Sequence, residues 1–165
     1  MPEKQTLKRA RKAKRQGKSA STQAGEFVRE EIRHIRAGKH GARSANQAIA
    51  IGLSKARRAG VKLPPPAKGK VSEKTRRSAQ RAYEAGQSDH GSHKPSPKRS
   101  RAILAALRRE KQAPASRKAL SRQATAAAAR RTASERSAAA KKGARTKGQA
   151  GRSAAARKAA RTRAR

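Results

Sequence analysis

The sequence predicts a mainly α protein: a short helical hairpin, isolated basic helices and large intrinsically disordered arms. Three observations carry this reading. Leu, Ile, Val and Phe together supply 15 of the 165 residues, far below the ~20% needed to bury a core over the whole length. Lys and Arg number 46 against 9 Asp and Glu, for a net charge of +37. The sizeable apolar residues that exist gather in 21–63, spaced by three and four as on a helix face.

Residues 1–20 hold eight basic residues and little apolar besides Leu7, which reads as a basic disordered arm. In 21–63 Ser21 or Thr22 is a candidate N-cap. Glu26, Glu30 and Glu31 favour the positive end of the helix dipole that follows. Phe27, Val28, Glu31 and Ile35 share a face, and Gly38 is a C-cap candidate. After the turn Gly38-Lys39-His40-Gly41, Ser44 is a second N-cap. Ala45, Ala48, Ile49, Gly52, Leu53 and Ala56 then trace one helical face, closed by Gly60. Ile49, Ile51 and Leu53 also alternate with period two, so a strand over 48–53 is the rival assignment. The core residues expected are Phe27, Val28, Ile35, Ile49 and Leu53. Two short helices bury little, so 21–63 is expected to form a homo-dimer or to borrow the stripe Ile103, Leu104 and Leu107 from a later helix.

Residues 64–111 read as a linker with short basic helices. One spans Ser72 to Ala85 and stops at Gly86; Gln87 to Pro97 is polar linker. Residues 112–165 hold 20 Ala, 16 Lys or Arg and one acid, Glu135. This tail is expected to be disordered alone and helical on nucleic acid, because alanine favours helix while like charges at helical spacing oppose it. Ser116 can cap a run through Ala133, and Gly143, Gly148 and Gly151 predict separate pieces beyond it. An internal repeat lies here: 136–147 matches 152–163 at nine of twelve positions.

The stretch Gln47-Ala48-Ile49-Ala50-Ile51-Gly52-Leu53-Ser54-Lys55-Ala56-Arg57 resembles the signature of a small bacterial domain of unknown function found in short, highly basic proteins. The wider segment from Gly25-Glu26-Phe27-Val28-Arg29 to Val61-Lys62-Leu63 is similar to one branch of that family, about a quarter of the chain. The resemblance implies a bacterial origin and assigns no catalytic residue. The tail resembles those of linker histones in composition.

Enzymatic chemistry is not expected, nor is a cofactor or metal. There is no cysteine, which excludes disulfides and thiol nucleophiles. Gly17-Lys18-Ser19 lacks the first glycine and the strand of a P-loop. Asp89, His90 and His93 are best read as solvated linker residues. No apolar run approaches the roughly 18 residues of a membrane span, and no secretory segment is evident at the start.

A polycation of this kind calls for a polyanion. Phe27 and Tyr83 are the only aromatic residues, too few for the base-stacking platforms of single-strand readers. A membrane-surface helix needs a wide apolar face that this chain lacks. Duplex DNA is therefore the expected partner, bound non-specifically in a histone-like, nucleoid-associated role in the cytoplasm; RNA or ribosome association is the alternative. The residues expected to meet phosphates are Lys39 and Arg43 at the turn, and Lys55, Arg57 and Arg58 on the second helix. Lys98 and Arg99 of a Ser-Pro-basic-basic turn join them, as do Arg130, Arg131, Lys141, Lys142, Arg157 and Lys158 of the tail. The Ser44 N-cap, flanked by Lys39, Gly41 and Arg43, is a candidate phosphate clamp, since free backbone N–H groups and the helix dipole there favour an anion.

Overall fold

A computed structural model describes residues 2–88 and 96–164. Among the described residues the chain is all-α, with seven α-helices, one short 3-10 turn and no strand. Residues 1–121 form one compact unit and 122–165 a second.

In the first unit, α1 (Lys4–Arg15) packs on α2 (Ala20–Arg36), α2 on α3 (Ala45–Arg58), and α3 on α4 (Glu73–Gln87). The segment 48–53 is helical, and the period-two alternation of Ile49, Ile51 and Leu53 has no strand behind it. Ser44 caps α3 by accepting from the Gln47 N–H at 3.1 Å. At the start of α2 the sequence signal misleads. Ser19 stands at the N-cap, about two turns before Glu26, and its hydroxyl contacts Ser21 and Thr22 instead of a backbone N–H. Gly38 and Gly60 take left-handed φ values of 72° and 83°, a conformation glycine adopts without steric cost. They let Lys39 N–H and Val61 N–H reach back to the carbonyls of His34 and Ala56.

Two apolar clusters hold this unit. Ala10, Ala24, Phe27, Ala56 and Val61 form one, flanked by Leu7, Leu53 and Leu63. Ile32, Ile35, Ala42, Ala48 and Ala115 form the other, flanked by Val28 and Leu120. Of the expected core residues, Phe27 and Ile35 are buried, Val28 and Leu53 pack at the edges, and Ile49 is half-exposed and outside both clusters.

Residues 1–20 are not a disordered arm. Thr6, Ala10 and Ala13 are buried along one face of α1, and small residues at that spacing let two helix backbones approach closely. The hairpin therefore takes its cover from α1 and α4 within the same chain. The stripe on α5 (Pro97–Arg108) does not supply it: Ile103 is 54% and Leu104 39% exposed, and no residue of α5 is buried. The end of α5 is tied to the turn by its backbone, with Gly41 N–H donating to Leu107 O and Ala42 N–H to Lys111 O. A 3-10 turn (Ala113–Ala115) follows, fixed by Arg36 Nε donating to Ala115 O at 2.8 Å.

The tail is likewise helical and not a disordered arm. It consists of α6 (Arg117–Ala129), within which the first unit ends, and α7 (Ala133–Arg163). Ser116 caps α6 by accepting from Ala119 N–H at 3.2 Å, but the run stops short of Ala133. Thr132 and Glu135 start α7 with a reciprocal capping box, each satisfying an N–H the helix leaves free. Of the three glycines expected to divide the tail, only Gly148 breaks the helical backbone, at φ 66° and ψ 177°.

Candidate nucleic-acid interface

The distribution of charge follows from where the few acids stand. Glu3 meets Arg33, His34 and Lys39. The hydrogen bond from His34, reinforced by the Arg33 guanidinium, pulls its carboxyl down to about 2. Glu26 pairs with Arg9 and Arg29, Glu73 with Arg76 and Arg77, and Glu110 with Arg43. The Arg76 contact likewise lowers the Glu73 carboxyl. Glu84 accepts from Gln80, and Glu135 is committed to the α7 cap. Glu30 and Glu31 are buried outright. Every described acid is thus buried or engaged, and the outward charge is basic.

The expected phosphate-binding residues divide into two groups. Arg58, Lys98, Arg99, Arg130, Arg131, Lys141, Lys142, Arg157 and Lys158 are exposed. Lys98 and Arg99 do not lie in a free-standing turn: Pro97 is the first residue of α5 and both cations fall in its first turn. Positive charge there opposes the helix dipole, a conflict that a bound phosphate relieves.

The other group makes contacts within the fold, some buried and some at its surface. Arg57 is 6% exposed and donates from Nε to Leu63 O and from Nη2 to Pro64 O, both at 3.1 Å. It pins the extended segment after α3, and burial lowers its pKa. Lys55 Nζ lies 2.5 Å from Glu31 Oε2. Lys39 and Arg43 are exposed but face Glu3 and Glu110 at 3.7 and 3.5 Å. Around the Ser44 cap, Gln47 N–H is taken by the Ser44 hydroxyl and the N–H groups of the preceding turn are bonded within the fold. Gly41 and Ala42 N–H bond the end of α5, and Arg43 N–H donates to Gln47 Oε1 at 2.6 Å. The same contacts disarm a base-reading face on α3: Gln47, Lys55 and Arg57 are all occupied, leaving Asn46 and Arg58 outward. Asp89, His90 and His93 lie outside the described residues.

In the second unit no residue of α7 is buried. From Arg122 onward the chain carries 14 Lys or Arg and the single acid Glu135. The Gly148 break falls between the two copies of the repeat, so 136–147 and 152–163 occupy separate helical segments. No helix among the described residues is long and apolar enough to cross a membrane.

The first unit is a small all-α domain built on a glycine-bordered hairpin, and the second is a basic helical extension. Residues 11–68, from the middle of α1 through the segment pinned by Arg57, match the model of a family of unknown function, DUF6496. No curated protein and no solved structure matches the chain. The family match reaches further toward the N-terminus than the sequence signature at 47–57, and it takes in the end of α1 with Ala13 but not Thr6 and Ala10.

Proposed function

We propose that this protein binds duplex DNA without reading its sequence, as a histone-like, nucleoid-associated protein of a bacterial cytoplasm. The observation that carries this reading is the tail. Lys141, Lys142, Arg157 and Lys158 are exposed on a helix that buries nothing, Arg130 and Arg131 are exposed in the turn before it, and the one acid nearby is locked into a helix cap. A helix with no face to pack and basic residues spaced along its length is suited to a polyanion.

The mechanism is phosphate neutralisation with counterion release. If about half of the tail's basic residues contact phosphates, the tail contributes ~7 units to the slope of log K against log salt. Base readout needs Asn, Gln or Arg free to reach base edges, and on α3 such groups are largely engaged within the fold. Affinities for unrelated duplexes should therefore agree within about tenfold, roughly 1.4 kcal/mol.

Anisotropy titrations at one stated salt, with two unrelated DNA duplexes and an RNA duplex of equal length, test this. Comparable binding to both DNAs and a salt slope that flattens on deletion of 122–165 support it. A thousandfold preference for one sequence overturns the non-specific reading. Strong preference for RNA moves the protein to a ribosome-associated or other RNA-binding role.

A further inference from the structure

Glu31 is buried in a chain of net charge +37, with its side chain 1% exposed. Lys55 Nζ takes Oε2, and among the described residues no donor reaches Oε1 in hydrogen-bonding geometry. A buried carboxylate oxygen without a partner is costly, so what faces it matters.

Oε1 faces His40 Nε2 at 3.2 Å. The other nitrogen of that ring, Nδ1, lies 3.0 Å from the Gly41 carbonyl oxygen, which can only accept. Nδ1 therefore carries the ring proton, and in the neutral imidazole Nε2 presents a lone pair. A lone pair and a carboxylate oxygen face to face are two acceptors, and they require a cation between them. His34, one helical turn after Glu31, completes the group. A ligand atom of each of Glu31, His34 and His40 lies within 4.8 Å of the others. The two rings stand nearly perpendicular, at 85°. His34 Nε2 is in turn held 2.8 Å from Glu3 Oε1.

We propose that Glu31, His34 and His40 bind a divalent transition-metal ion of the zinc class. The 3.2 Å separation of Oε1 from Nε2 is already close to the ligand–ligand edge of a tetrahedron with bonds of ~2.0–2.1 Å. Two imidazoles in the donor set favour zinc, cobalt or nickel over the all-oxygen preference of magnesium and calcium. The Gly41 carbonyl and the Glu3 carboxylate serve as the outer partners that fix ring orientation in such sites. Three protein ligands leave a fourth position for water. The ion would join the last two turns of α2 to the turn before α3, beside the second apolar cluster. This reading does not depend on whether the chain binds nucleic acid.

The test uses the full chain without an added histidine tag. Zn2+ titration by calorimetry should give one saturable equivalent, and Zn2+ should move the ring 15N resonances of His34 and His40. His34→Ala and His40→Ala should each weaken binding at least tenfold, while the His90→Ala, His93→Ala double variant should leave it unchanged. If either single variant loses its helical dichroism, the ring resonances of the unsubstituted chain decide alone. Absence of saturable binding up to millimolar Zn2+, or ring shifts confined to His90 and His93, overturns the proposal.

Discussion

Gly52 of α3 faces Val28 of α2 so closely that a Cβ built on Gly52 would stand 2.6 Å from the Val28 Cα. No side chain fits there. The small faces Ala48, Gly52 and Ala56 set the approach of the two helices, and the apolar clusters form on either side of that contact. Gly52→Ala should destabilise the fold by ~1–3 kcal/mol through overpacking, outweighing the ~1 kcal/mol that alanine gains over glycine in a helix. Gly25 is the control. It lies within α2 with nothing inside 4 Å of its Cβ position, so Gly25→Ala should stabilise by ~0.5–1 kcal/mol. Urea melts of the two variants should move in opposite directions.

Phe27 is 1% exposed and is the largest side chain in its cluster. Phe27→Ala should cost ~3–5 kcal/mol. A thermal dichroism melt that is unchanged in this variant would show that α1, α2 and α3 do not share that core.

The Glu3 carboxyl is lowered from 4.5 to about 2, first by the hydrogen bond from His34 and then by Arg33. A carboxyl depressed in the folded state stabilises that state in full above its unfolded value, and the contribution disappears as pH falls through the folded value. Glu3 should therefore hold α1 to α2 down to about pH 4.5 and release it progressively toward pH 2. In Glu3→Gln the thermal midpoint should depend less on pH across that interval, measured as the slope of midpoint against pH.

Arg43 faces Glu110, and its own N–H is held by Gln47, whereas Arg145 is exposed on α7. Reversal to Glu at Arg145 should weaken duplex binding at least as much as reversal at Arg43. A larger loss at Arg43, read by anisotropy at fixed salt, would return the turn before α3 to the interface.

The start of α7 depends on Thr132 and Glu135, which exchange hydrogen bonds of 2.9 and 3.1 Å. Since α7 buries nothing, no packing compensates for a lost cap. Thr132→Ala should cost ~1 kcal/mol and appear as lost helical dichroism, with the melt of the first unit unchanged.

Local signals were legible in the sequence wherever a single residue decides the backbone. Ser44 caps α3, and Gly38 and Gly60 end α2 and α3, as their chemistry implies. What stayed hidden depends on partners distant in sequence. The charge of Arg57 reads as surface, and only the carbonyls of Leu63 and Pro64 make its burial tolerable. Glu30 and Glu31 read as acids near a helix start, yet both are buried, Glu30 accepting from the Glu3 N–H at 3.2 Å. The helix at the N-terminus did carry a signal, the small-residue spacing of Thr6, Ala10 and Ala13. Hydrophobic counting overlooks it, because alanine and threonine bury methyl groups without registering as a core.

The break at Gly148 has a bearing on how such a chain lengthens. With no buried residue in α7, there is no packing register for an inserted segment to violate. The joint falls between two near-identical twelve-residue copies spaced sixteen apart. A gain or loss of one copy would therefore change the reach of the extension by about 24 Å of helix and leave the folded unit of residues 1–121 untouched. Length in this part of the molecule is free of the packing constraints that hold Phe27, Ile35, Gly52 and Ala56 in the folded unit.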